Sequence, residues 1–202
     1  SGKKPEEHGI RGFHVHADDC KVARWWDIAE ASGQSVGLYK WLVDYPPRSF
    51  KTGGFWVPSW LAPAPETWPA ELSVVKEIEL ANRLRRKQVG QKSVSFGTVK
   101  RLFDAGVRLT TFAQAAAWVV EERVFHPGEV RRNVAMQMIR GKLDRDVFIA
   151  QLYARSPQVA SLNYYATDGL AHLYWKQYAE GGPELRAAYA QADEILAEIL
   201  YR

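Results

Sequence analysis

Val36-Gly-Leu-Tyr-Lys-Trp-Leu-Val43 is short, apolar and rich in β-formers, and it lies between Gly33 and the Pro46-Pro47 pair. Such a run, bounded by turn residues, reads as a buried strand. Upstream of it, Asp18 and Asp19 supply the acidic residues that suit a helix N-terminus. Val22, Trp25, Trp26, Ile28 and Ala29 follow at helical spacing, and Gly33 provides a stop. Much further on, Val159-Ala-Ser-Leu-Asn-Tyr-Tyr-Ala166 reads as a second strand, with Pro157 punctuating its start. Asp168 to Tyr178 then reads as a helix carrying Leu170, Leu173, Tyr174 and Trp175, broken by Gly181-Gly182-Pro183. A last helix starts at Pro183 and bears a long apolar stripe from Leu185 to Leu200. Helices alternating with short apolar strands define an α/β chain. Two strands do not make a stable sheet, so either weaker strands exist or the chain is part of a larger sheet.

The interval between the two strands has two characters. From Asp44 to Pro69 the chain reads as ordered loop. Five of the ten prolines fall between Pro46 and Pro65, Gly53-Gly54 gives a turn, and Trp56, Trp60 and Trp68 are too many aromatics for a flexible linker. Long ordered loops often line a site. From Glu71 to Ser156 the pattern is helical: one segment through Arg86, a short one around Val99–Phe103 stopped at Gly106, and an alanine-rich one from Phe112 to Val124. A fourth runs from Val130 to Ala154, with Gly141 as a candidate break.

Composition narrows the classes. The 202 residues include 27 Lys+Arg and 23 Asp+Glu, and 47% are hydrophobic. Those values belong to a folded domain and exclude global disorder. The single cysteine, Cys20, rules out a disulfide scaffold. No apolar run approaches the ~20 residues of a membrane-spanning helix, and the opening residues are polar and charged, unlike a signal peptide. The positive charge is local: Arg83, Arg85, Arg86, Lys87, Lys92, Lys100, Arg101 and Arg108 share one stretch with a single acid, Asp104. A basic stripe attracts phosphate on nucleic acid, membrane or small substrate, and it also serves as an ordinary solvated helix face.

Asp168 and His172 are the sharpest chemical signal. Residues four apart on a helix share a face, so a carboxylate oxygen and an imidazole nitrogen can hold one divalent ion. The plainer alternative is a helix-capping Asp beside an unrelated histidine. His14 and His16, with Asp18 and Asp19 behind them, form a second candidate metal group or a packed, solvated loop. His8 and His126 are single histidines near turns and read as structural. No phosphate-binding glycine loop, nucleophile elbow or zinc-finger spacing is present, and no catalytic nucleophile can be assigned.

Several phrases in order resemble one family. Gly2-Lys-Lys-Pro-Glu-Glu-His-Gly-Ile10 is similar to the TGxxPxxHGI phrase that follows the nucleophile in type I phosphodiesterase/nucleotide pyrophosphatase proteins of the alkaline phosphatase superfamily. Trp26-Asp-Ile-Ala29, Val36 to Leu42, and Pro46-Pro47 followed by Gly54-Phe-Trp-Val-Pro-Ser-Trp60 resemble that family's next segments. Tyr165-Ala-Thr-Asp-Gly-Leu-Ala-His-Leu-Tyr-Trp175 resembles its GtDxxxHxfW motif, and Tyr189, Asp193 and Leu196 fit the helix after it.

The resemblance implies an alkaline phosphatase-like sheet flanked by helices, here helix-rich and an incomplete part of the fold. Residues 1–70 and 157–202 would belong to the catalytic core, and 71–156 would be a helical cap or insert. It also implies two divalent ions, usually zinc, of which Asp168 and His172 would hold one, and a Thr or Ser nucleophile that forms a phospho-enzyme. The substrate would be a small phosphate ester or phosphoanhydride. The nucleophile and the remaining ligands are not in this sequence, so the chain is expected to be an internal part of a larger enzyme, inactive alone, with the rest of the parent protein as its partner. Asp44 stands near where relatives often carry Thr. A sulfatase or phosphomutase relative is a variant of this reading. The alternative class is a non-enzymatic basic helical domain binding nucleic acid or a protein, since Thr98 to Ala117 is similar to a helix-turn-helix.

Overall fold

The computed structural model describes residues 2–12, 16–85, 95–124, 129–180 and 182–201. Its sheet is three-stranded and wholly parallel, in the order β2-β1-β3. β1 is Val36–Tyr39, β2 is Gly54–Val57 and β3 is Val159–Leu162. Val36 lies opposite both Gly54 and Val159, and Tyr39 opposite Val57 and Leu162. The helices are α1 (Pro5–His8), α2 (Trp25–Ala31), α3 (Ser73–Arg85), α4 (Phe96–Asp104), α5 (Leu109–Val124), α6 (Glu129–Arg155), α7 (Ala166–Ala179) and α8 (Glu184–Leu200). A coarse α/β class therefore holds. The third strand lies inside the stretch that reads as loop: β2 is bounded by Gly53 and Pro58, so its turn residues mask a four-residue strand.

The chain divides into two compact units, residues Ser1–Ala105 with Ala150–Asn163, and Gly106–Ile149 with Tyr164–Arg202. The helical stretch 71–156 is thus shared between them.

The first unit holds the sheet. All four residues of β1 and of β2 are buried, as expected for parallel strands covered on both faces. Trp26, Ala29, Val36, Leu38, Phe50 and Trp56 form its core, with Trp25, Trp41 and Trp68 packed on it. Phe50 stacks on Trp56 at 5.2 Å, and Trp26 meets Trp56 edge-on at 6.0 Å. Fully burying each such side chain is worth about 1.5–3 kcal/mol, so Phe50, Trp56 and Trp68 tie the stretch 44–69 to the core, while Trp60 stays exposed. Trp68 closes the outer edge of β2 by an antiparallel bridge to Trp56.

The strand expected over Val159–Ala166 ends at Leu162 and α7 already begins at Ala166; three other differences from the sequence reading each have a local reason. β1 stops at Tyr39 because Lys40 turns left-handed (φ 61°) once its N–H has bonded Val57 O. The helix expected from Asp18 onward begins at Trp25, because the Asp27 carboxylate accepts the Arg24 backbone N–H at 2.9 Å and fixes Arg24 as the cap. Gly33 does stop it, at φ 81°. In the second unit, α6 continues through Gly141, where the missing side chain admits Gln191 and the Tyr164 ring.

That second unit is built on α7 and α8. Ala166, Leu170, Tyr174, Leu185 and Ala188 form its core, joined by Val134 and Met138 of α6. Tyr164 Oη donates to Gln191 Oε1 (2.6 Å), and Gln191 Nε2 donates to the Met138 carbonyl (3.1 Å). At the start of α5, the buried Asp146 carboxylate accepts the Arg108 N–H at 3.0 Å and the Thr111 hydroxyl. It thereby satisfies one helix-end N–H that has no partner within the helix.

Candidate metal-binding pair and a buried charge cluster

Asp168 and His172 lie on the first two turns of α7, which begins four residues after β3 ends. The spacing does what helical geometry requires: Asp168 Oδ1 and His172 Nε2 are 3.4 Å apart. Both side chains face solvent, at 66% and 80% exposure. The separation is longer than a good N–H···O hydrogen bond. It matches the edge of a tetrahedral site, since two donors each about 2.1 Å from one ion lie about 3.4 Å apart. The spacing of the two groups is that of two ligands of one divalent cation. Among the described residues no group of three or more His, Cys, Asp or Glu side chains is arranged to hold a metal, so the pair offers two of the three protein donors a zinc site needs.

The other sequence candidates are dispersed. His14 and His126 lie outside the described residues. His16 Nδ1 stands 3.7 Å from Asp18 Oδ2, and its ring meets Tyr45 edge-on at 5.6 Å. Asp19 accepts the His16 backbone N–H at 2.9 Å, so this segment is a capped turn. His8 Nδ1 accepts the Ile10 N–H at 3.0 Å. The Cys20 thiol is directed at the Val22 carbonyl.

Three residues of the basic stretch are paired with acids and a fourth with carbonyls. Arg83 donates to the carbonyls of Trp60 and Ala62. Lys100 pairs with Asp104 at 2.7 Å, and Arg101 binds Glu77 through both terminal nitrogens. Arg108 reaches Glu198 at 2.6 Å and Asp146 at 3.4 Å. Arg86, Lys87 and Lys92 lie outside the described residues.

Sequence reading missed a cluster of buried charges in the sheet-bearing unit. Where β1 and β2 end, Lys40, Asp44, Lys76 and Glu79 are all buried. Lys76 Nζ bonds Glu79 Oε2 and the Ser59 carbonyl, each at 2.5 Å, and Lys40 Nζ bonds Glu79 Oε1. Asp44 Oδ1 accepts the Ser59 N–H at 3.0 Å, and Oδ2 accepts Trp56 Nε1–H at 3.3 Å. Burial pushes the Asp44 carboxyl up to about 7, against the pull of those donors and of Lys76. Burial alone would raise Glu79 too, but the two ammonium groups hold it below its usual range. Lys76 is lowered by its own desolvation, with Glu79 opposing. The signal in the sequence was a lysine inside an apolar run, Tyr39-Lys40-Trp41, and a Lys76/Glu79 pair three apart behind Val74 and Val75. The cluster is closed by its own partners and reads as structural.

Comparison with family models, with curated proteins and with solved structures returns no match for this chain. Among the described residues, no helix is long and apolar enough to cross a membrane.

Proposed function

We propose that this chain contributes Asp168 and His172 as two ligands of one divalent ion, zinc by preference, in a metal-dependent phosphohydrolase of the phosphodiesterase or nucleotide pyrophosphatase type. The observation that carries the reading is the 3.4 Å approach of Asp168 Oδ1 to His172 Nε2 on an open helix face. Supporting it is the ordered set of phrases, from Gly2–Ile10 to Tyr165–Trp175, that resemble that family. A bound cation there would neutralise charge on a phosphoryl oxygen. This chain's own part is to fix the acid and the imidazole on one helical face and leave that face accessible. The nucleophile, the second ion's ligands and the substrate contacts would come from outside the residues given, so the chain alone is expected to be inactive. The pairing of Arg83, Lys100, Arg101 and Arg108 with acids or carbonyls weighs against the nucleic-acid alternative.

The test is zinc uptake followed by competition with a chromogenic chelator. The wild-type chain should bind one zinc ion, and Asp168→Asn and His172→Ala should each weaken uptake at least tenfold. Protein expressed from the complete reading frame should then release p-nitrophenol from a chromogenic phosphodiester, and Asp168→Asn should suppress that release. Equal zinc uptake by all three proteins would refute the assignment.

A further inference from the structure

α4 is moored along one side. The Ser95 hydroxyl caps it by accepting the Thr98 N–H at 3.2 Å. Leu102 is buried, and so is Ala105, the residue after its last turn. Arg101 binds the Glu77 carboxylate of α3 through both terminal nitrogens and donates to the Ser73 hydroxyl at 3.0 Å. These contacts leave the opposite row of the helix unused. On that row stand Phe96, Val99 and Phe103, spaced i, i+3 and i+7. They are 86%, 36% and 53% exposed. Burying a phenyl ring is worth about 1.5–3 kcal/mol, and the fold collects little of that from Phe96 or Phe103.

The charge around the row is mainly positive. Lys100 lies between the two phenylalanines in sequence, four residues after one and three before the other, with its side chain 66% exposed. From Arg83 through Arg101 the sequence holds seven basic residues and no acid. The acids that face α4 are Glu77, which offsets Arg101, and Asp104, which pairs with Lys100 at 2.7 Å. An exposed pair of the second kind is worth about 0–1 kcal/mol, so it does not keep Lys100 from another anion. Exposed rings with cations among them are what a helix needs to lie in a bilayer interface: the rings enter the acyl boundary while the lysine stem reaches back to the headgroups. The phosphates of a duplex would meet the cations and leave the rings in water. We propose that the outer row of α4, Phe96, Val99 and Phe103 with Lys100 among them, docks this chain peripherally on a lipid surface carrying anionic headgroups. The surface does not depend on the metal reading of Asp168 and His172.

The experiment is co-sedimentation of the chain with vesicles, a chelator being present so that no metal ion bridges protein and lipid. Vesicles of equal parts phosphatidylcholine and phosphatidylglycerol should carry the wild-type chain down, less so as salt rises, and vesicles of phosphatidylcholine alone should carry little. Phe96→Ser and Phe103→Ser should each weaken binding about tenfold with the melting temperature unchanged. Phe96→Trp should keep it, since an indole suits the interface. Asp104→Asn should tighten it by removing the one acid beside Lys100. A wild-type chain that stays in the supernatant with both vesicles would overturn the proposal, as would serine variants that sediment like wild type. Self-association lost in the serine variants would assign the row to a second copy instead. Capture of labelled oligothymidine, lost in the same variants, would assign it to single-stranded nucleic acid, and either result would displace the lipid surface.

Discussion

Asp44 carries a carboxyl group into an interior that water does not reach, and its two hydrogen bonds do not fully compensate the lost hydration. The consequence is a pH dependence with a definite sign. In the unfolded chain the group titrates near 3.9, and in the folded chain at about 7. Below about pH 4 it is neutral in both states. Between those values only the unfolded chain ionises, so the stability held by the neutral form declines as pH rises and is gone above about 7. Asn at this position does not titrate. The stability of Asp44→Asn relative to wild type should therefore rise between pH 4 and pH 8, by up to about 4 kcal/mol, in urea unfolding at stepped pH. Lys40, Lys76 and Glu79 face the same cluster and are common to both proteins, and the difference reports Asp44 together with its coupling to Lys76. A flat difference would mean that Asp44 stays ionised throughout. Residues of this kind are hard to read from sequence, because a charge becomes buried only through its tertiary neighbours: Lys40 meets Glu79 across 39 positions. Asp168 and His172 were legible for the opposite reason, since the helical repeat alone brings them together.

At the scale of elements, periodicity located the helices and the central strand, while pairing decided what periodicity could not. Gly54-Phe-Trp-Val57 has no alternation and sits among prolines, and it becomes a strand through its register with β1. Gly141 looked like a break in α6, but its role lies in another helix. A Cβ at 141 would stand 2.1 Å from Gln191 Oε1 and 2.8 Å from the Tyr164 ring. Gly141→Ala should raise the intrinsic helix propensity of α6 by up to about 1 kcal/mol. It would also push apart the bonds running from Tyr164 through Gln191 to the Met138 carbonyl. Overpacking costs about 1–3 kcal/mol, and stranding a buried polar group costs a similar amount. The clash should win, and the variant should melt several degrees lower. An equal or higher melting temperature would show that α6 moves aside freely.

For the molecule as a whole, the net charge of +4 says less than where its partners lie. Of the eight basic residues between Arg83 and Arg108, four have identified acidic or carbonyl partners: Arg83, Lys100, Arg101 and Arg108. Exposed pairs such as Lys100–Asp104 contribute about 0–1 kcal/mol to stability, so their interest is the positive charge they offset. A protein that neutralises phosphates on duplex DNA shows a logarithmic salt slope of about −0.9 per contact. If the three acid-paired residues stay paired, the stretch offers five cations at most, and contacts through it should give a slope no steeper than about −4.5. Fluorescence anisotropy of a labelled duplex across a salt series measures it directly. A slope near −7 would require all eight cations of the stretch to contact phosphate, Lys100, Arg101 and Arg108 leaving their acids to do so, and the basic-domain reading would then displace the phosphohydrolase one. A shallow slope, together with zinc uptake that depends on Asp168, would locate the chemistry of this chain on α7.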